Sequence, residues 1–315
     1  MVAVETALGP IDPSQLGFTL SHEHVMTSAG EDTKHYPWMF DRERSLERAI
    51  SSLREVKQAG VDTMIDLTTP DLGRDVKFIQ EVSRAAGIQV VVATGIWLDP
   101  PRSFLTRSVA ASADIFVREI EEGIDNTSIK AGVIKVATDV AGITPVHENV
   151  LRAAGRAAAR TGRPISSHHH AEAEQGRDQL RILLEEGTPV DRICIGHSAD
   201  TTDVDYLLLL LDQGVWLSMD RYPGRPGRPN WQQRNATVKA LVDRGWAHRI
   251  MLGHDFGATR PVPAGMTEPP ADDYNPDGLL FLSRIGLPAL ISSGVSSTDV
   301  DLMMREVPRR FLTGE

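Results

Sequence analysis

The stretch Phe18-Thr19-Leu20-Ser21-His22-Glu23-His24 reads as a short strand that ends in two histidines one residue apart. In an extended chain, residues i and i+2 point to the same face. His22 and His24 therefore aim their imidazoles at one point, while Glu23 faces the other way. Two imidazoles at one point are half of a metal site. The plain alternative is a surface strand end that happens to carry two histidines. What else the chain brings to that point decides between them.

From residue 45 onward the pattern alternates. Ser45 to Ala59 carries Leu46, Ala49, Ile50, Leu53 and Val56 at helical spacing, and Gly60 ends it. Val61 to Leu67 reads as a strand, Asp75 to Ala86 as a helix stopped by Gly87, and Ile88 to Ala93 as a strand buried on both faces. Ser112 to Glu122 reads as a helix and Ala131 to Val136 as a strand. Thr144 as N-cap and Pro145 at the first helical position open a helix to Arg160. Then come a strand Pro164 to Ser167, a helix Ala171 to Glu186, a strand Arg192 to Gly196 and a helix Val204 to Asp212. A strand Val215 to Met219, a helix Asn235 to Arg244 and a strand Ile250 to Gly253 complete the series. A helical tail from Asp277 to the end follows a long polar loop.

With Phe18 to His24 included, eight strands are each followed by a helix. That alternation implies a parallel sheet with right-handed crossovers. Eight such units in about 250 residues is the size of a closed (β/α)8 TIM barrel, so the expectation is an α/β protein, residues 1–315, in one barrel domain. An open doubly wound sheet is the alternative, but the Gly-rich phosphate fingerprint such folds often carry is missing. Tyr222-Pro223-Gly224-Arg225-Pro226-Gly227 has prolines where a helix should start, so it is a loop. The long loops Trp97 to Val109, Asp220 to Trp231 and Phe256 to Tyr274 then lie on the C-terminal face and build the pocket.

Composition narrows the partners. The 315-residue chain carries a net charge of −10, which disfavours nucleic acid or an anionic membrane, since phosphate binding needs a basic face. Cys194 is the single cysteine, in Ile193-Cys194-Ile195, so no disulfide forms within the chain and a buried thiol is expected. Met1 to Glu5 shows neither a basic nor an apolar leader region, and the longest aliphatic run, Leu207 to Leu211, is too short to span a bilayer. A cytoplasmic protein is the expectation.

The C-terminal ends of the strands hold the chemistry. His22 and His24 end the first strand, and Lys135 sits in Gly132-Val133-Ile134-Lys135-Val136. Ser167-His168, Gly196-His197 and Gly253-His254-Asp255 end three more. In a barrel these ends converge, which makes two adjacent metal sites plausible. Lys135 could be a snorkelling lysine, but the strand offers no exposed face and an unpaired buried ammonium is costly. Conversion to a carbamate by carbon dioxide, or an ion pair with a carboxylate, each resolves that burial. His168-His169-His170 gives the best-placed position to the first. His197 could be a core histidine, and Asp255 an N-cap.

These residues resemble the phosphotriesterase family of the amidohydrolase superfamily, including its phosphotriesterase-like lactonases. The resemblance rests on Gly9-Pro10-Ile11, Leu16-Gly17, His22-Glu23-His24, Ile134-Lys135, Cys194-Ile195-Gly196-His197-Ser198, Met219-Asp220-Arg221 and Pro308-Arg309-Arg310-Phe311-Leu312. It implies one divalent metal held by His22, His24 and Asp255, and a second held by His168 and His197. Carboxylated Lys135 and a hydroxide would bridge the two. Zinc is the first expectation, and His and carboxylate ligands suit cobalt, manganese or iron as well. Asp255 would take the proton as hydroxide attacks, with Asp200 and Arg221 lining the pocket and relaying it onward. Trp97, Arg221, Tyr222 and Phe256 would contact the substrate. Trp97 stands where lactonases often carry Tyr, and Arg221 stands where they carry Arg and phosphotriester specialists carry His. The implied activity is hydrolysis of lactones, N-acyl-homoserine lactones among them, with promiscuous phosphotriesterase activity. A dedicated phosphotriesterase or other esterase is the alternative, and a non-catalytic metal-binding barrel a further one. Relatives are commonly homodimers.

Overall fold

The structure, a computed structural model, describes residues 3–28, 30, 32–266 and 274–315. Eight barrel strands run β1 (Thr19–Met26), β2 (Thr63–Asp66), β3 (Gln89–Gly95), β4 (Val133–Ala137), β5 (Ile165–His168), β6 (Ile193–Gly196), β7 (Trp216–Met219) and β8 (Ile250–Leu252). Each pairs in parallel with its sequence neighbour from β1 round to β8. Helices α1 (Arg42–Gln58), α2 (Val76–Ala86), α3 (Val109–Glu121), α4 (Pro145–Thr161), α5 (Gly176–Glu185), α6 (Val204–Asp212) and α7 (Trp231–Val242) supply the crossovers. The arrangement is the expected (β/α)8 barrel. Among the described residues, no helix is long and apolar enough to cross a membrane.

Strand periodicity splits the core in two. Met64, Val90, Val92, Ile134 and Val136 point outward and pack with the helices, while Ile65, Leu67, Val91, Ala93 and Val133 form a separate cluster with Cys194, Trp216 and Met251. This second cluster fills the barrel, and Val4, Leu16, Val307, Phe311 and Leu312 close its N-terminal end. Residues two apart along a strand share a face. The row that begins at Val133 therefore continues to Lys135, and the row Trp216, Ser218 leads to Asp220. The polar centre thus sits on top of an apolar plug. Cys194 lies within that plug, and burial pushes its thiol pKa up, as expected of an inert cysteine.

The eighth strand is broken, which the sequence pattern did not reveal. After β8 the chain kinks, and Gly257–Thr259 resumes as a ninth strand, pairing in parallel with the upper half of β1 at Gly257 with His24 and Thr259 with Met26. Lower down, β1 and β8 are joined by Ser21 Oγ donating to Leu252 O (2.9 Å) and Asp255 N donating to His22 O (2.9 Å). A Cβ at Gly253 would stand 2.9 Å from His22 N and 3.0 Å from His22 O, so only glycine lets the two strands approach this closely. Asp255 sits in the kink.

Other boundaries shift for local reasons. The first strand runs two residues further than expected, to Met26. Helix α3 starts at Val109, because Ser108 Oγ accepts from Ala111 N as N-cap. Helix α7 starts at Trp231, set by a capping box between Asn230 and Gln233. The helix expected from Ala171 begins only at Gly176, after a 3-10 turn at Ala171–Ala173. The tail from Asp277 is not one helix. It contains wide π turns at Leu282–Gly286 and Leu302–Glu306, each followed two residues on by a proline, Pro288 and Pro308, with no N–H to give. An N-terminal hairpin, Val4–Thr6 with Gly9–Ile11, was also unanticipated. Residues 1–2 of the N-terminal segment Met1 to Glu5 and residues 267–273 of the loop Phe256 to Tyr274 lie outside the described residues.

Candidate metal centre

Six expected ligands meet at the C-terminal mouth of the barrel. His22, His24, Lys135, His168, His197 and Asp255 all line one cleft of about 740 Å³. Asp255 Oδ1 lies 3.1 Å from His24 Nε2 and 3.4 Å from His22 Nε2, and its Oδ2 lies 3.9 Å from His197 Nε2. Lys135 Nζ is 3.3 Å from His22 Nε2. The His22 and His197 rings stack at 4.8 Å, and His168 meets His197 edge-on at 4.2 Å. His254 is turned away, its Nδ1 2.7 Å from Glu23 Oε1, while its Nε2 accepts from Leu282 N. Glu23 faces away from the centre, as its strand position requires, and also accepts from His254 N and Phe256 N. Those bonds fix the kink that carries Asp255.

The backbone is strained where these side chains converge. Among the described residues, six non-glycines have positive φ, and His197 (+60°), Arg221 (+64°) and Asp255 (+52°) are three of them. Each follows a barrel strand. Such conformations cost about 1–3 kcal/mol apiece and persist only where the surroundings enforce them.

In His22, His24 and His197 the second ring nitrogen is tied back, whereas His168 has both ring nitrogens in hydrogen bonds. Asp220 accepts from His22 Nδ1 (2.7 Å), from His197 Nδ1 (2.8 Å) and from Ser218 Oγ (2.9 Å). Burial pushes the Asp220 carboxyl up, but the two histidines outweigh it and hold it well below the usual carboxylate range. A carboxylate only accepts, so both Nδ1 atoms carry hydrogens and both Nε2 lone pairs face the cleft. Two triads bring their donor atoms within 4.8 Å of one another: His22, His197 and Asp220; and His22, His24 and Asp255. The first is occupied by its own hydrogen bonds, and the second leaves its donor atoms facing the cleft. His24 Nδ1 lies 2.8 Å from the Thr68 hydroxyl. His168 Nε2 is 3.1 Å from Asp139 Oδ2, and its Nδ1 accepts from Trp97 Nε1 (3.1 Å).

Electrostatics favour ligation. Burial depresses the pKa of His22 and His197, and that of His168 to about 4, so these imidazoles are neutral donors. Burial lowers Lys135 to about 8, and it makes no ion pair among the described residues. Burial raises the Asp255 carboxyl, but His22, His197 and Arg221 outweigh this and keep it well below the usual range. Neutral imidazoles, one carboxylate and a reactive lysine suit zinc, cobalt, manganese or iron(II).

Of the expected pocket residues, Trp97, Arg221 and Phe256 line the cleft. Tyr222 does not: it is buried, its hydroxyl donates to Asn235 Oδ1 (2.9 Å), and its ring lies 6.5 Å from that of Phe281. Asp200 lies behind the cleft. It accepts from Arg221 Nη1 (2.7 Å) and from the buried Arg234 Nη2 (2.8 Å), while Arg221 Nε donates to Asp255 Oδ2 (2.9 Å). A guanidinium does not give up its proton. The chain Asp255–Arg221–Asp200–Arg234 therefore positions charge. Sequence reasoning missed Asp220, Thr68 and Asp139 as supports. Asp220 had a signal, standing two residues beyond Ser218 on the inward row, but the other two lie in loops.

Comparison with known proteins agrees with this geometry. The model of the phosphotriesterase family matches residues 2–312. A phosphotriesterase homology protein of Mycobacterium tuberculosis is 40% identical over 99% of this chain and 98% of its own length. An aryldialkylphosphatase of Saccharolobus solfataricus is 34% identical over 96% of this chain and 97% of its own. An N-acetyltaurine hydrolase of Danio rerio is more distant, at 26% over 98% and 97%. The barrel, the buried cluster of metal-ligating side chains and these matches together place the chain in the phosphotriesterase family of hydrolases.

Proposed function

We propose that the chain opens lactones, N-acyl-homoserine lactones among them, and hydrolyses phosphotriesters as a side activity, using two divalent cations. The observation that carries this is the convergence of four imidazoles, Lys135 and Asp255 in one cleft. His22, His24 and Asp255 would hold one cation, and His168 and His197 the other, with Lys135 between them. When bound, such a pair supplies a water acidic enough to attack near neutral pH and a Lewis acid for the substrate oxygen.

The chain's own groups do the rest. Lys135, with its pKa lowered to about 8, keeps a neutral fraction near pH 7. That amine adds to carbon dioxide, forming an N–C bond and releasing a proton, and so becomes an anionic two-oxygen ligand. Asp255, ionised and anchored by Arg221, accepts the proton of the attacking water. Trp97 and Phe256 form part of the cleft wall that would face the substrate. Arg221 supports the lactone reading through the family resemblance. The similarity to an aryldialkylphosphatase supports a dedicated phosphotriesterase as the second reading.

Kinetics on lactones of varied acyl length beside one paraoxon-like triester, with bound metal quantified on the same sample, test the proposal. Higher kcat/KM on the lactones is expected. Faster turnover of the triester would favour the second reading, and turnover of neither would refute both.

A further inference from the structure

Among the described residues, the side chains that line the cleft are unevenly charged, in a chain whose net charge is −10. Among its described lining residues Asp255 is the sole acid, while Arg48, Arg221, Arg225 and Arg260 are cationic. Arg221 is already neutralised by Asp255 and Asp200. Arg48 on α1 and Arg225 in the loop after β7 are different: neither forms an ion pair among the described residues. Several of the described arginines do find a carboxylate. Arg152 meets Glu148, Glu185 and Glu186, and Arg156 also meets Glu186. The Arg225 guanidinium carbon stands over the Tyr274 ring, 5.3 Å from its centroid, a cation–π contact on an otherwise exposed side chain. The cleft wall also carries the apolar Leu72, Phe256, Ala258 and Pro276 beside the polar Thr27, Thr259 and Asn275.

We infer that the substrate carries an oxyanion, such as a carboxylate, at the end of an apolar segment remote from the scissile bond, and that Arg48 and Arg225 bind it. This rests on the hydrolase reading above and names a substrate class within it. A planar guanidinium fork matches the two oxygens of a carboxylate, and paired forks at a cleft mouth draw anions inward. The buried centre needs only a reactive ester or lactone group. The arginines add a requirement at the opposite end of the molecule, and a neutral acyl tail leaves it unmet.

The test compares two N-acyl lactones of equal length, one tail ending in a carboxylate and the other in the isosteric primary amide. The metal-loaded enzyme should prefer the carboxylate by about tenfold in kcat/KM, the scale of two partly exposed ion pairs. The preference should shrink in raised salt and fall towards unity in R48Q/R225Q, with each single variant between. A carboxylate-to-amide ratio of one or less in the wild type, or a ratio unmoved by the double variant, would overturn the inference and leave the hydrolase reading standing. Binding of the uncleavable cyclic-ether analogues, read by calorimetry, separates the two ideas. Absent turnover with tighter binding of the carboxylate analogue, lost in R48Q/R225Q, would refute lactone hydrolysis but uphold the anion site. Equal binding of both analogues would refute the anion site.

Discussion

Asp220 lies beneath the histidines with no exposed surface, and both its oxygens are taken by imidazole N–H groups. It touches no substrate, yet it decides which nitrogen of His22 and His197 faces the cleft. Supports of this kind affect affinity and rate together. D220N should lower metal affinity or activity by about 10- to 100-fold while leaving the fold intact, as read by metal titration and circular dichroism. Glu23 acts one step further out. Its carboxylate accepts from His254 N, His254 Nδ1 and Phe256 N, all within the kink. E23A leaves these donors buried without a partner, so a loss of about 3 kcal/mol in denaturant unfolding is expected, with Asp255 displaced and turnover reduced. A loss under about 1 kcal/mol would mean that the kink stands without Glu23.

At the scale of elements, the broken eighth strand distinguishes this barrel from a uniform ring. Gly253 permits the contact with β1, and the ninth strand Gly257–Thr259 resumes the edge above it. G253A places a methyl against His22 backbone atoms at 2.9 and 3.0 Å, so the strands must part. Overpacking of this kind costs about 1–3 kcal/mol, and metal content should fall with stability. Normal metal content would show that the close approach is dispensable. This break also marks where sequence reading stopped. The helix and strand alternation was legible because Val90 to Ala93 and Ile193 to Ile195 are apolar runs bounded by turn residues. Gly257-Ala258-Thr259 is three residues with no periodicity, and it becomes a strand only because β1 leaves an edge free beside it. The convergence of the HxH pair with the other strand-end side chains was legible for the same reason that the strands were. Thr68 and Asp139 were not, because loop residues reach the centre through folding of the backbone rather than by a spacing rule. Tyr222 illustrates the converse: adjacency to Arg221 suggested the pocket, but consecutive residues diverge and its ring went into the core.

Over the whole molecule, stability and function meet at the barrel mouth. The apolar plug from Val4 to Phe311 closes one end, and the polar candidate ligands gather at the other. A ligand that binds the folded chain alone stabilises it by about 2.7 kcal/mol at a hundred times its Kd. Chelation of bound cations should therefore lower Tm by about 5–10 °C, reversibly on adding metal, by differential scanning calorimetry. F311A, at the closed end, should cost about 3–5 kcal/mol while metal content per folded molecule stays unchanged. A fall in that ratio would show that the two ends are coupled.

The central claim is that His22, His24, Lys135, His168, His197 and Asp255 form one metal-dependent hydrolytic centre. Elemental analysis and lactone turnover, measured together on wild type, H22A and H168A, test it most directly. About two divalent ions per wild-type chain are expected, with loss of metal and of turnover in both variants. Wild-type turnover that survives exhaustive chelation, or that persists in H22A, would contradict the account.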